Sequence, residues 1–195
     1  MLATGLAACA SGSSGEQASQ RTKIVDVSPV TSGDTVAAGY RTTSTATGAT
    51  CEPGSEAIGQ AYRCFAGNTV YDPCWSLRAR TPTVLCLPAP WSHGAARLSV
   101  SSPLAAIPNE GGIGEPWGVQ LRDGKRCLLA QGAHAEFGGT VIDFYCGASL
   151  SLLRGLSKSG GSWTGRSVID KSGHMSAGPD EVIAIAWFGS PVRHR

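Results

Sequence analysis

The sequence predicts an all-β fold, a small disulfide-stapled sandwich or barrel of short antiparallel strands. Three observations carry that expectation. Apolar and polar residues alternate with a period of two in many short segments, turn residues recur roughly every 8 to 12 positions, and six cysteines fall between residues 51 and 146. With 26 glycines and 11 prolines in 195 residues, and only 15% of the chain charged, tight turns are favoured over long helices. A chain of this length buries a core without needing a metal or a partner subunit. The expected organisation is a leader end over 1–9, a flexible tether over 10–34, a single disulfide-bonded β domain over 35–190 and a solvated tail over 191–195.

Along the chain, residues 10–20, ASGSSGEQASQ, are small and polar with no apolar period, as a tether requires. Residues 23–27, KIVDV, alternate as a short strand. The run TTSTATGAT over 42–50 has high β-propensity but little to bury, which fits a solvated edge or loop. The stretch 51–86 is the centre of the chain and holds four cysteines, two tyrosines and one tryptophan. Within it Pro53-Gly54 marks a turn, Ser55-Glu56-Ala57-Ile58 is suited to one helical turn stopped by Gly59, and 61–65 and 83–87 read as strands.

Beyond residue 86 the strand signals become regular. Residues 96–100 alternate, and Asp123-Gly124 between the apolar runs 117–122 and 126–130 predicts a hairpin with a two-residue type I′ turn. Residues 140–146 form the next strand, placed beside 126–130. The segments 150–153 and 163–169 flank Ser157-Lys158-Ser159-Gly160-Gly161 as a second hairpin, and 181–188 is an apolar last strand, buried on both faces.

The first nine residues, MLATGLAAC, end in Leu6-Ala7-Ala8-Cys9, which resembles the lipobox of bacterial lipoproteins. The resemblance implies export, removal of the leader, and a lipid carried by Cys9 as the mature N-terminus, with the tether spacing the domain from the membrane. No Lys or Arg precedes Cys9, so this reading places the translation start upstream of Met1. No later stretch has the run of about 18 apolar residues that a spanning helix requires. The expected location is the outer face of the cytoplasmic membrane.

Export makes the cysteine count meaningful. Setting Cys9 aside leaves six, Cys51, Cys64, Cys74, Cys86, Cys127 and Cys146, an even number in an oxidising compartment, and three disulfides follow. Sequence leaves the connectivity open, with nearest-neighbour pairing as the working expectation. Successive spacings of 12, 9 and 11 residues in 51–86 lack the C-x-x-C pairs of zinc sites, so neither a metal nor a cofactor is expected. The segments YRCF and YDPCW within it resemble the cysteine-containing domains of uncharacterised exported proteins of high-GC Gram-positive bacteria, a resemblance that brings no activity with it.

Chemistry-bearing patterns are few. The net charge is +2 and the basic residues are scattered, which excludes a nucleic-acid partner. No G-x-S-x-G surrounds a serine. Glycines 111, 112 and 114 lack the strand before them and the helix after them that a phosphate loop needs, so they read as a surface turn. His134 and Glu136 are two apart and would share one face of a strand, with Asp143 nearby, an arrangement for acid–base work or ligand binding. Trp91 and Trp117 follow prolines at the starts of strands, where an indole can stack on a sugar or cover the end of a β core. The leading expectation is a lipid-anchored binding module of the cell envelope, taking cell-wall glycan or another envelope protein. The alternatives are a small secreted hydrolase using His134, Glu136 or Asp143, and a structural envelope protein.

Overall fold

A computed structural model describes residues 21–77, 79, 81–107 and 115–190. Cys9, the polar run after it, glycines 111, 112 and 114 and the tail 191–195 lie outside the described residues. The fold is all β: the described residues form fourteen strands and no helix.

Five strands close a first barrel: β2 (Arg41–Pro53), β3 (Tyr62–Ala66), β4 (Thr69–Leu77), β5 (Thr83–Cys86) and β6 (Gly94–Val100). They form a meander in which each strand pairs antiparallel with the next. An odd number of alternating strands leaves the first and last pointing the same way, so the closing ladder between β2 and β6 is parallel. The Thr/Ser run expected at a solvated edge is the exposed first part of β2, and β6 is its one ladder partner over Arg41 to Ala49.

The second sheet contains β7 (Gly118–Leu121), β8 (Arg126–Leu129), β10 (Thr140–Tyr145), β11 (Leu150–Leu153), β13 (Ser162–Lys171) and β14 (His174–Gly189). The β13–β14 and β14–β7 ladders close these six into a second ring, and an even count lets every ladder be antiparallel. β9 (Glu136–Phe137) and β12 (Ser157–Ser159) extend it at β10 and β13. β1 (Lys23–Val27) lies parallel on the last residues of β14. Thr22 joins that seam: its amide donates to Gly161 O at 2.9 Å, and its hydroxyl donates to Ile183 O and accepts from Trp163 N, both at 2.8 Å.

Four expectations need correction. Residues 23–34, expected within the tether over 10–34, belong to the folded domain, because Val25 and Val27 of β1 and the buried Val30 pack in the core. Residues 55–58 are not helical, since the Ser55 hydroxyl accepts from Ala57 N and Ile58 N in a tight bend. The turn at Asp123-Gly124 is a three-residue loop, with Gly124 N donating to Leu121 O, Leu121 N to Lys125 O, and positive φ at Gly124 alone. Two-residue turns with positive φ at both positions lie instead at Gly138-Gly139, Gly160-Gly161 and Ser172-Gly173, and the last of these makes the final strand start at His174 rather than near Glu181.

Three cystines join Cys51 to Cys64, Cys74 to Cys86 and Cys127 to Cys146, with Cα separations of 4.1, 4.1 and 3.9 Å. The six cysteines thus pair in order along the chain, first with second, third with fourth and fifth with sixth, as expected. The first two bonds link residues directly opposite in adjacent strands.

The first barrel is filled by Ala49, Tyr62, Cys64, Cys74, Val84, Cys86, Ala96 and Leu98. The alternate residues of its wall, Trp75, Leu77, Leu85 and Ala95, belong to a larger cluster with Trp117, Val119, Leu121, Phe144, Leu152 and Ile183 of the second ring. Strand alternation therefore gives the first barrel two apolar faces, one inward and one against its neighbour. Trp75 and Trp117 meet at that seam, ring centroids 6.0 Å apart. Gly118 is bare there for a reason: a Cβ would lie 2.9 Å from both Pro90 and Trp91.

Candidate functional site

Polar groups from both rings converge at the edge of this seam. In the loop after β2, Ser55 donates to the carboxylate of Asp72, whose other oxygen accepts from Glu56 N at 3.0 Å. Asp72 is 2% exposed, and burial raises its carboxyl above the ordinary range against the opposing pull of Ser55, the Glu56 amide and Arg63. Glu56 in turn pairs with Arg63 and accepts from Gly132 N at 2.9 Å, while the Gln131 side chain donates to Asp72 O. The network thus ties the β2–β3 loop and β4 of the first barrel to the loop after β8 of the second ring.

Against it opens a cleft of about 260 Å³ lined by Glu56, Glu115, Leu129, Ala130, His134, Asp143 and Arg154. Asp143, 4% exposed, accepts from Arg154 Nε on both oxygens, at 3.2 and 3.0 Å. His134 Nδ1 lies 3.2 Å from Ile142 O and 3.9 Å from Asp143 Oδ1. A ring nitrogen facing a carbonyl is best satisfied as N–H, which leaves Nε2 as the acceptor. Burial raises the Glu115 carboxyl, opposed chiefly by Lys158, and its buried Oε2 has no hydrogen-bond partner among the described residues.

The structure brings together two of the three acid–base residues singled out in the sequence and separates the third. His134 precedes β9 rather than lying on it, so the shared strand face expected with Glu136 does not form. Glu136 pairs with Val141 on β9, is exposed, and does not line the cleft. The cleft gains Glu56, Glu115 and Arg154, which local spacing could not announce, because they arrive from loops far apart in the chain. Among the described residues, neither Ser, Thr nor Cys lines the cleft. With Asp143 held by Arg154, the triad arrangement of nucleophile, base and orienting acid is not assembled here.

The two tryptophans proposed as stacking platforms differ. Trp117 is 0% exposed and belongs to the core. Trp91 is half-buried, with its ring edge-on to Trp187 at 5.2 Å and the Arg126 guanidinium 5.3 Å from its centroid. Its indole is already engaged on both counts. A second cavity, about 300 Å³, lies at the mouth of the first barrel between Thr43, Val70, Tyr71 and Leu87, with Cys86 in its wall. The one group of three candidate metal ligands among the described residues, Cys64, Cys74 and Cys86, is made of bonded half-cystines and holds no thiolate.

Comparison with family models, curated proteins and solved structures finds no match for this chain. The three cystines are consistent with a protein outside the reducing cytosol. Function is therefore argued from the cleft itself.

Proposed function

We propose that this protein is a binding module of the bacterial cell envelope, held at the outer face of the cytoplasmic membrane by lipid on Cys9. The lipobox and the polar run after it support the anchor, and the cystines support the compartment. The cleft between the rings is assigned to the ligand, and cell-wall glycan is the ligand class. The observation that carries this reading is the lining: carboxylates and a guanidinium suited to sugar hydroxyls and amides, over an apolar floor of Leu129 and Ala130, with no serine, threonine or cysteine among the described lining residues. The test is co-sedimentation of the lipid-free protein with purified peptidoglycan. Wild type is expected in the pellet, and Glu115→Gln and Arg154→Ala in the supernatant. Undiminished retention of both variants removes the cleft as the glycan site, and wild type left in the supernatant discards the glycan and leaves another envelope protein as the partner.

A hydrolase reading draws on one observation, the 3.9 Å approach of His134 to Asp143 in the same cleft as a carboxyl raised by burial. A His134→Ala variant with unchanged turnover of a glycan substrate removes it.

A further inference from the structure

The four central cysteines lie on four consecutive strands, β2 to β5, and their sulfurs gather inside the first barrel. The Sγ atoms of Cys64, Cys74 and Cys86 lie within 4.8 Å of one another, although Cys64 belongs to one cystine and the other two to the next. Tyr62 and Cys74 are ladder partners across β3 and β4, and Cys64 follows two residues on, facing inward like Tyr62. Access is unequal. Cys64 and Cys74 are 0% exposed and Cys86 is 2% exposed, whereas Cys51 is half-buried at the rim.

We propose that these two cystines form a thiol–disulfide exchange relay that takes a small thiol as its co-reactant. A thiolate from solution attacks Sγ of Cys51, the least buried of the four residues, and forms a mixed disulfide there. The Cys51–Cys64 bond breaks and its electron pair leaves on Cys64. That thiolate sits in an apolar interior, where charge is disfavoured, with a second disulfide beside it. It attacks Cys86 Sγ, forming a Cys64–Cys86 bond and expelling Cys74, which takes up a proton. Cys74 is the sulfur released because its Sγ lies 3.3 Å from Tyr71 O, an acceptor in place for the new S–H. One thiol is consumed and one is produced, so no outside oxidant or reductant enters. Cys127–Cys146, in the other ring, takes no part.

The test is non-reducing peptide mapping of the folded protein after brief exposure to glutathione, with free thiols alkylated under acid quench. The expected products are glutathione on Cys51, a Cys64–Cys86 linkage and the alkyl label on Cys74. A Cys51→Ser variant, which frees Cys64 without any added thiol, is expected to carry more label on Cys74 than on Cys64. Label confined to Cys64 with Cys74–Cys86 intact in either experiment overturns the relay. So does the absence of glutathione from Cys51 while the native circular dichroism spectrum is retained.

Discussion

The two rings solve the same problem with different materials. The first is a five-stranded barrel whose interior holds four sulfurs' worth of cystine, two alanines and few large groups. The second is a six-stranded ring whose buried residues include Trp117, Phe144, Leu121, Leu152 and Ile183, with a single cystine bridging β8 to the end of β10. A narrow barrel has little volume for branched side chains, so its strands are held by covalent bonds that restrict the unfolded chain. A wider one is held by apolar area removed from water. The lesson is that stability in the first barrel is written into the unfolded state, and in the second into packing.

Three experiments sharpen or break this contrast. The largest loss is expected from Phe144→Ala, which opens a cavity in the second ring and should cost about 3–5 kcal/mol in urea denaturation. A loss near that of an exposed site would show the ring is not packing-limited. The Cys51→Ser/Cys64→Ser double variant should cost about 3 kcal/mol, since the bond closes a short loop. An equal cost in a Cys51→Ala/Cys64→Ala variant would tie it to chain entropy rather than to packing at the sulfur positions. The smallest effect is a pH slope. Asp72 and Glu115 have carboxyls raised in the folded state, so the native protein binds more protons than the unfolded chain above their ordinary pKa. Stability should therefore fall as pH rises from the ordinary carboxylate value to the raised ones. Thermal midpoints across that window should fall less steeply in Asp72→Asn, leaving the Glu115 contribution. Asp123, whose carboxyl is lowered mainly by its hydrogen bond from Lys125, acts below the ordinary value and in the opposite direction.

Much of the fold was legible because strands announce themselves locally. The alternation at 61–65, 83–87 and 96–100 marks β3, β5 and β6, and Cys64 and Cys86 fall on the inward face that the period assigns. Turn chemistry was less transparent. Asp-Gly is the stronger I′ signal, yet hydrogen bonding of Leu121 to Lys125 makes that loop three residues long, while Ser172 accepts a positive φ of 55° where the ladder demands it. The cleft was only half visible. His134 and Asp143 lie close in sequence, but Glu56, Glu115 and Arg154 reach it through the closure of two rings, and ring closure leaves no local periodic trace. Trp117 follows a proline just as Trp91 does. Only the position of the first barrel against β7 buries one indole completely and the other in part.

The pairing of β1 with β14 joins residues 23–27 to residues 185–189, near opposite ends of the described chain. The first barrel is a meander whose partners follow one another closely, so it can assemble from a nascent segment. The second ring cannot: β14 supplies ladders to β1, β7 and β13, and it emerges last. The second ring must therefore wait for β14 before the larger core is sealed, which makes its folding late and non-local. Until β14 is in place, the strands of the second ring keep unpaired edges that other strands can occupy.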